Sequence, residues 1–360
     1  MAIVESVTAA VYTVPTDRHE SDGTIAWDAT TMVVVHVRAG GVEGIGWTYA
    51  HAGAAALVAS PLAAAVVGRD PMATSAAYIA MSRSVRNIGR PGLGIEAISA
   101  VDIALWDLKA KLLGVPLATL LCKARDSVMV YGSGGFTSYD DATLAAQLGG
   151  WADRGFTAVK MKVGREPGRD LERVRIAREA VGPRVGLFVD ANGAWTRKQA
   201  LAQAESFARL DVTWLEEPVS SEDLGGLRFL RDRGPAGMDV TAGEYGYTLD
   251  DFRRLLVADC LDVVQADATR CGGVTGILAV AGMCEAFGIP FSAHCAPHIH
   301  AHIGCAIRSL RHIEYFHDHA RIDGLVLDGA LEPRAGRLTP DPTRPGLGVS
   351  LKPDAFRFAR

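Results

Sequence analysis

The chain contains 360 residues, of which 49% are hydrophobic and 22% are charged, and its formal net charge at pH 7 is −4. It is long enough for one large domain and a smaller one, and its composition is that of a globular protein. The nearly balanced charge and the absence of a basic run give no reason to expect nucleic acid as a partner. No apolar run is long enough to cross a bilayer and no basic-apolar leader is visible, so we expect a cytoplasmic protein without a membrane partner. Six cysteines without paired spacing indicate reduced thiols.

The first part of the chain, residues 1–125, predicts a small α+β domain. Strand patterns, followed by helical patterns, cover residues 3–15, 31–38, 44–49, 53–66 and 71–85. Apolar residues then recur every three or four positions from Ile98 to Leu112, which predicts an amphipathic helix. Gly114 and Pro116 end that helix.

From Val128 onwards, strand and helix patterns alternate. The strand candidates are residues 128–133, 158–163, 185–190, 212–217, 239–244, 262–267, 290–294 and 312–316. Eight strands with helical crossovers predict a βα barrel over residues 126–320, while a doubly wound open sheet is also compatible with the alternation. A nucleotide-binding enzyme is disfavoured, because no glycine-rich phosphate loop lies at a strand–helix junction. Residues 321–360 are rich in Pro and Gly and are expected to return to the first domain.

Three acidic residues, Asp190, Glu216 and Glu244, each follow a short apolar run. They are spaced by about one strand–helix unit, so consecutive units would bring them to one end of neighbouring strands. Converging carboxylates repel each other unless a cation lies between them. Oxygen donors suit Mg²⁺ better than zinc, so we predict one Mg²⁺ held by these three side chains. Glu217 should point away from its neighbour Glu216. We therefore expect Glu217 and Asn192 to support the metal ligands rather than to bind the metal.

Two lysines, Lys160 and Lys162, share one face of a predicted barrel strand. An inward lysine must find an anion or lose its proton, whereas the plain alternative is a solvated pair. A lysine beside another cation is expected to have a lowered pKa and to act as a base.

Asp267 and His294 end two later strands, again about one unit apart, and Glu314 lies on the eighth strand. An aspartate facing a histidine would fix its tautomer and raise its basicity. A core histidine beside an unrelated helix cap and an ordinary strand-end glutamate are the plain alternatives. Next to an anionic substrate we expect Glu314 to be protonated and able to donate a hydrogen bond.

With these residues in this order, the chain resembles the mandelate racemase subgroup of the enolase superfamily over nearly its whole length. The resemblance implies a capping domain, a modified TIM barrel of the (β/α)7β type and a C-terminal segment that closes over the cap. It implies that Lys162 is the second lysine of a KxK motif and a proton-transfer base, that Asp267 and His294 form a dyad, and that Glu314 is electrophilic. The related muconate-cycloisomerase subgroup is disfavoured, because it has a lysine on the sixth strand where this chain has Asp267.

The implied chemistry is Mg²⁺-dependent removal of the proton alpha to a substrate carboxylate, which gives an enediolate. The metal, Lys160 and Glu314 would stabilise the developing charge, and Lys162 and His294 would face opposite sides of the carbon. We expect dehydration of an acid sugar to a 2-keto-3-deoxy acid. The alternatives are a racemase or epimerase of an α-hydroxy acid, a cycloisomerase of a sugar acid or lactone, and an inactive sugar-acid-binding protein.

Specificity in the resembled family depends largely on the cap, where residues 16–28 are predicted to form a polar loop. Polar pockets suit hydroxyl-rich ligands, so a sugar acid is favoured over an aromatic hydroxy acid. Candidate substrate-binding residues are Arg18, His19, Trp27 and Tyr49, although a solvated surface loop is an equal alternative for the loop positions. A homo-oligomer is expected.

Overall fold

The computed structural model describes residues 2–360. The N-terminal part forms an antiparallel sheet of β1 (Ser6–Ser21), β2 (Ala26–Ala39) and β3 (Val42–Tyr49), paired in that order. Both faces of β2 are buried because its apolar residues do not alternate with polar ones. Val33 and Val35 pack towards the helices of the N-terminal part, whereas Val34 packs in the cluster that includes the barrel. The sheet is therefore sandwiched between its own helices and the barrel.

Five helices follow this sheet in the chain, and the first four cover its outer face. They are α1 (Gly53–Leu57), α2 (Ala63–Val66), α3 (Thr74–Ser84), α4 (Leu93–Leu112) and α5 (Leu117–Leu120). The helix predicted over 53–66 is broken between α1 and α2 at Pro61, which has no N–H to donate. α4 lies directly on β3, because a Cβ at Gly46 would come within 2.4 Å of the Ala100 carbonyl oxygen.

Eight parallel strands form a closed barrel. They are β4 (Val128–Gly134), β5 (Ala158–Lys162), β6 (Gly186–Asp190), β7 (Val212–Glu216), β8 (Asp239–Ala242), β9 (Val263–Ala266), β10 (Phe291–Ala293) and β11 (Leu310–Phe316). Each strand pairs with the next, and β11 pairs with β4 to close the ring. The predicted βα barrel is therefore confirmed and the open sheet is wrong.

Helices follow the barrel strands on the outside. They are α6 (Asp141–Asp153), α7 (Pro167–Val181), α8 (Arg197–Ala208), α9 (Leu224–Arg233), α10 (Leu249–Val257), α11 (Gly273–Phe287), α12 (Pro297–Gly304) and α13 (His317–Val326). The barrel interior is filled by a layer of inward-facing side chains that includes Tyr131, Phe188 and Trp214. The interior is therefore packed, as in other barrels of this type, and the polar residues lie above this layer.

The predicted loop over residues 16–28 is instead the end of a long β-hairpin. β1 runs to Ser21 and β2 begins at Ala26, so the connection is a four-residue turn. After a register shift between Pro15 and Glu20, Glu20 and Ser21 pair with Trp27 and Ala26 of β2, so strand pairing extends to the turn despite the weak strand propensity of these polar residues.

The C-terminal segment contacts both parts of the molecule. β13 (Arg337–Leu338) pairs with β4 of the barrel, and β12 (Leu327–Asp328) pairs with β14 (Ser350–Leu351). At the end of the chain, the backbone N–H of Arg360 donates to the carbonyl of Val11 in β1. The predicted domain boundaries at 125 and 320 stay predictions, and the second of them falls within α13.

Among residues 2–360, no helix combines the length and the apolar character needed to cross a bilayer.

Candidate active site

The predicted polar residues gather at the carboxyl ends of the barrel strands. Lys162 lies opposite Asp190 in the register of β5 and β6, and Asp190 lies opposite Glu216 in the register of β6 and β7. Glu244 lies just beyond β8, and Glu314 lies within β11. Since side chains of alternate residues face inward, the strands bring all of these groups to one mouth of the barrel.

The two lysines contact the acids directly. Lys160 Nζ lies 2.5 Å from Glu216 Oε1, 2.8 Å from Glu314 Oε1 and 3.6 Å from Asp190 Oδ2. Lys162 Nζ lies 2.5 Å from the same Asp190 oxygen. Both lysines are buried, so the solvated pair is excluded and each ammonium group is neutralised by carboxylates.

The expected lowering of the lysine pKa values is not found. Burial lowers the pKa of Lys162, but the contact with Asp190 outweighs both burial and the repulsion from Lys160, and the pKa lies above its usual value. Burial likewise lowers the pKa of Lys160, but Glu216 and Glu314 raise it well above the usual value. The prediction considered the neighbouring lysine and neglected the carboxylates that lie closer to each ammonium group.

His294 lies on the other side of the site, between two acids. Its Nδ1 lies 2.9 Å from Asp267 Oδ2, and its Nε2 lies 2.6 Å from Glu244 Oε2. Burial lowers the pKa of His294, but Cys295, Glu244 and Asp267 together raise it well above the usual value. The second oxygen of Asp267 accepts hydrogen bonds from the backbone N–H and the hydroxyl of Thr269, so the aspartate is held in place.

Glu314 is held by donors on several sides. Its oxygens accept hydrogen bonds from Ser133 Oγ at 2.6 Å and from the backbone N–H of Cys295 at 2.9 Å, besides the contact with Lys160. Burial raises its pKa, but Lys160 and His294 outweigh burial and hold the pKa below its usual value. Glu314 is therefore a carboxylate in this arrangement, and its protonation next to an anionic substrate stays a prediction.

The two residues expected to support the metal ligands, Glu217 and Asn192, each have a buried oxygen without a hydrogen-bond partner among residues 2–360. These oxygens are Oε1 of Glu217 and Oδ1 of Asn192. Burial, followed by the charges of Glu244 and Asp190, raises the pKa of Glu217 well above its usual value. Both residues have positive φ, 39° for Glu217 and 46° for Asn192, so the backbone turns sharply just after β7 and β6.

The mouth contains more acidic groups than basic ones. Its buried carboxyl groups are Asp190, Glu216, Glu217, Glu244, Asp267 and Glu314. The cations facing them are Lys160, Lys162, Arg270 and a protonated His294. Burial and Asp190 raise the pKa of Glu216 to about 8, which reflects this crowding. A surplus of carboxylate oxygens, including unpaired ones, fits a hard divalent cation such as Mg²⁺.

The three predicted ligands are not drawn tightly together. Within residues 2–360, the sets of His, Cys, Asp or Glu ligand atoms that lie within 4.8 Å of one another are those of His294, Cys295 and Glu314 and those of Asp17, Glu20 and His317. Asp190 and Glu216 instead face Lys160, and Glu244 faces His294. Their role as metal ligands therefore stays a proposal, supported by the donor chemistry and the surplus of acidic groups.

A cavity of about 300 Å³ lies between this cluster and the cap. Of the four predicted substrate-binding residues, Trp27 and Tyr49 line the cavity. Arg18 lines a separate surface depression with Asp17 and Tyr139. His19 is exposed and pairs with Asp28. The structure therefore brings two of the four to the cavity and leaves the other two outside.

Several cavity residues were not predicted from the sequence. They include Asp22, Arg270, Cys295 and His319, and Ser133 supports Glu314 through a hydrogen bond. Ser133 and Cys295 could have been found, because both are polar or reactive residues at the carboxyl end of a barrel strand. Asp22 and His319 depend on the hairpin and on α13, whose positions follow from tertiary packing.

Models of known families match most of the chain. Residues 7–122 match the mandelate racemase/muconate lactonizing enzyme N-terminal domain, and residues 143–355 match the enolase C-terminal domain-like family. The chain is similar to L-talarate/galactarate dehydratase from Salmonella typhimurium, with 31% identity over 91% of this chain and 82% of that protein. It is also similar to 3,6-anhydro-alpha-L-galactonate cycloisomerase from Streptomyces coelicolor, with 33% identity over 97% of both chains.

Solved structures agree with these matches. A mandelate racemase/muconate lactonizing enzyme-like protein from Rubrobacter xylanophilus superimposes with a TM-score of 0.98 at 56% identity, over 99% of this chain and 100% of that one. A racemase from Streptomyces coelicolor A3(2) with bound magnesium superimposes with a TM-score of 0.93 at 30% identity, over 99% and 100% of the two chains. The chain therefore belongs to the mandelate racemase/muconate lactonizing enzyme family of the enolase superfamily.

Proposed function

We propose that this protein is a Mg²⁺-dependent acid-sugar dehydratase, which removes the proton alpha to a carboxylate and expels the hydroxyl from the next carbon. The observation that carries the proposal is that Lys162 and His294 line one cavity and that each contacts a buried acid. Both side chains line the cavity, so a substrate carbon between them would have a proton carrier on each face.

Asp190, Glu216 and Glu244 would hold the metal. When bound there, Mg²⁺ would supply the positive charge that makes the proton next to a carboxylate acidic. Lys160 supports the same step from the barrel floor, because its buried ammonium group can donate to a substrate oxygen that becomes negative. Glu314 keeps that ammonium group in position at 2.8 Å.

The protonation states suggest how the two proton carriers divide the work. His294 is protonated through its contacts with Glu244 and Asp267, so it is suited to donate a proton to a leaving hydroxyl, and sharing of the Glu244 charge with another cation would let it accept a proton instead. Lys162 must lose its proton to act as a base, which requires that the charge of Asp190 be shared with another cation. Asp267 keeps the imidazole oriented in both states.

A sugar acid is the substrate class that the cavity supports best. Its cap side offers Thr30, Thr31 and Asp22 beside the aromatic side chain of Trp27. Such a wall can bond several hydroxyl groups and stack on a carbon chain. Similar proteins include L-rhamnonate, D-gluconate and arabinonate dehydratases, each of which acts on a polyhydroxy acid by its name.

Cycloisomerisation is a second candidate, favoured by one specific observation. The Streptomyces coelicolor cycloisomerase matches 97% of this chain, which is more than the 91% matched by the Salmonella typhimurium dehydratase. The first step is common to both reactions. They differ in which bond breaks after the proton is removed.

A screen of mono- and diacid sugars with Mg²⁺ tests the proposal. Detection of 2-keto products with semicarbazide, followed by NMR of active substrates in D₂O, separates the outcomes. A keto product with deuterium at carbon 3 supports dehydration. Ring opening or closure without a keto product supports the cycloisomerase. Solvent exchange without either product indicates a racemase or epimerase, and no exchange with any acid by the Mg²⁺-loaded protein would indicate a binding protein.

The homo-oligomer and the cytoplasmic location are proposed from the sequence. Light scattering coupled to size-exclusion chromatography tests the first, and a monomer at micromolar concentration would contradict it.

A further inference from the structure

The tip of the β1–β2 hairpin is fastened to the barrel mouth. Thr137, which follows β4, donates its hydroxyl to the Asp22 carbonyl at 2.8 Å and its backbone N–H to the Ser21 carbonyl at 2.8 Å. Arg165, which follows β5, donates to the carbonyls of Asp22 and Ile25 at 3.0 and 2.7 Å. Side chains from two barrel loops therefore fix the backbone of the turn.

Close packing adds to these hydrogen bonds. A Cβ at Gly23 would lie 2.4 Å from the Ala191 carbonyl oxygen and 2.7 Å from the Val163 carbonyl oxygen. The turn thus rests directly on the loops after β5 and β6, and only a residue without a side chain fits. The side chain of Asp22, which is 5% exposed, is consequently held at a defined place over the cavity.

The turn uses only one oxygen of Asp22. Oδ1 accepts hydrogen bonds from the backbone N–H groups of Thr24 and Ile25 at 2.6 and 2.7 Å, and from the Thr24 hydroxyl at 3.1 Å. Among residues 2–360, Oδ2 accepts no such hydrogen bond, and the residue lines the cavity. A carboxylate with a spare oxygen accepts hydrogen bonds from hydroxyl groups and repels other carboxylates.

The positive charges of the cavity are all on the opposite side. Among residues 2–360, the cations in its wall are Lys162, Arg270 and His294, which come from the barrel floor. Arg270 is already engaged, since its Nη1 donates to the Glu244 carbonyl at 3.1 Å and its Nε lies 4.0 Å from Asp267. Arg165 approaches the turn from outside the cavity wall.

The other groups around this end of the cavity are uncharged. His319 of α13 stacks on Tyr49 of the cap with ring centroids 3.4 Å apart, and burial lowers the pKa of His319 to about 3, so its ring is neutral. Trp27, Thr30 and Thr31 also line this end. A substrate whose reacting carboxylate lies on the barrel floor would therefore meet Asp22 and neutral groups at its other end.

We propose that Asp22 selects sugar acids with a single carboxylate and a hydroxyl-bearing far end, and rejects the corresponding diacids. The inference rests on the proposed function for the orientation of the substrate. The relatives do not decide the point, because their names include both a galactarate dehydratase and a gluconate dehydratase.

Matched pairs of acids test this selection. The Mg²⁺-loaded protein is titrated by calorimetry with gluconate and glucarate, and with galactonate and galactarate, which differ only at the far carbon. We expect at least one pair in which the monoacid binds about tenfold or more tightly than its diacid. In Asp22→Asn, the amide oxygen still caps the turn, and we expect the preference to fall by about tenfold, mainly through tighter binding of the diacid.

Asp17→Asn is the matched control, because it makes the same charge change in the same hairpin outside the cavity. It should leave the preference unchanged. Diacids that bind as tightly as monoacids to the wild type, or a preference that Asp17→Asn alters as much as Asp22→Asn does, would overturn the selection by Asp22. Exchange of the alpha proton in D₂O is measured on the same samples. Its absence would refute the proposed function, whereas the binding ratio decides the charge selection separately.

Discussion

His294 Nδ1 lies 2.9 Å from Asp267 Oδ2, and the other oxygen of that aspartate is held by Thr269. The pair thus joins the ends of β9 and β10 through one hydrogen bond of defined direction. An aspartate in this position fixes which imidazole nitrogen faces the cavity and stabilises the protonated ring.

Replacement of this aspartate tests its role as a positioning residue. Asp267→Asn keeps an oxygen for Thr269 but turns an amide N–H₂ towards His294, which disfavours the productive tautomer. We expect kcat to fall by about 10²–10⁴-fold, with little change in KM and with the acidic limb of the pH profile displaced. Asp259→Asn, on the barrel surface beside Arg231, is the control and should leave both constants unchanged. An equal loss in both variants would point to a general structural effect.

Removal of one carboxylate from the predicted metal site should weaken Mg²⁺ binding. One negative charge is removed from the site by each of three substitutions, Asp190→Asn, Glu216→Gln and Glu244→Gln. We expect the Mg²⁺ affinity of each variant, measured by calorimetry, to fall by more than about tenfold. The increase in Tm on addition of Mg²⁺ should also be smaller for each variant than for the wild type. Glu222→Gln, exposed in the loop after β7, should bind Mg²⁺ as the wild type does. Undiminished affinity in all three variants would remove these residues from the metal site.

Displacement of the hairpin tip should weaken substrate binding. Gly23→Ala places a methyl group 2.4 Å from the Ala191 carbonyl, so the tip must move away from the barrel. We expect KM for the preferred acid to rise by about tenfold or more and hydrogen exchange over residues 20–27 to accelerate. Gly150→Ala, within α6 and without atoms in reach of its Cβ, should leave both measurements unchanged or stabilise the fold slightly. Unaltered exchange at the tip of Gly23→Ala would contradict the close packing.

A buried acid between the cap and the barrel predicts a pH dependence of stability. Asp102 on α4 accepts hydrogen bonds from the Thr275 hydroxyl and backbone N–H at 2.7 and 2.9 Å, and burial raises its pKa to about 7 from 3.8. Between these values the folded protein binds more protons at Asp102 than the unfolded chain does, so its contribution to stability declines as pH rises.

Asp102→Asn removes this titration. The Tm of the wild type minus that of the variant should therefore decrease steadily from about pH 4 to pH 7 and then level off, with a total change in stability of about 4 kcal/mol at most. The control Asp232→Asn, on the exposed face of α9, should give a difference that does not vary over this range. A constant or rising difference for Asp102→Asn would refute the buried, protonated state.

The order of the barrel strands could be predicted because each follows the same rule of a short apolar run ending in a polar residue. Glu216 and Glu217 illustrate both the success and its limit. Alternation predicts that they diverge. Glu216 faces Lys160, but Glu217 lies close enough to Glu244 and Asp190 for their charges to raise its pKa, and its positive φ depends on the loop after β7 and is not encoded in a period of two.

The hairpin and the protonation states could not be predicted for a physical reason. The turn at the tip of the hairpin is held by contacts with Thr137 and Arg165, which are distant in sequence. The pKa of Lys162 depends on an Asp190 oxygen at 2.5 Å, and a sequence does not give such distances. Fold and chemistry-bearing residues were therefore predictable, whereas their electrostatic balance required the three-dimensional arrangement.

The most direct test follows the alpha proton of the preferred acid by NMR in D₂O with Mg²⁺. The account predicts exchange by the wild type, loss of exchange with chelator, and loss for one stereoisomer in Lys162→Ala and for the opposite one in His294→Ala. Lys198→Ala, on the exposed face of α8, should exchange as the wild type does. Full exchange in both Lys162→Ala and His294→Ala would contradict the assignment of a proton carrier to each face of the substrate.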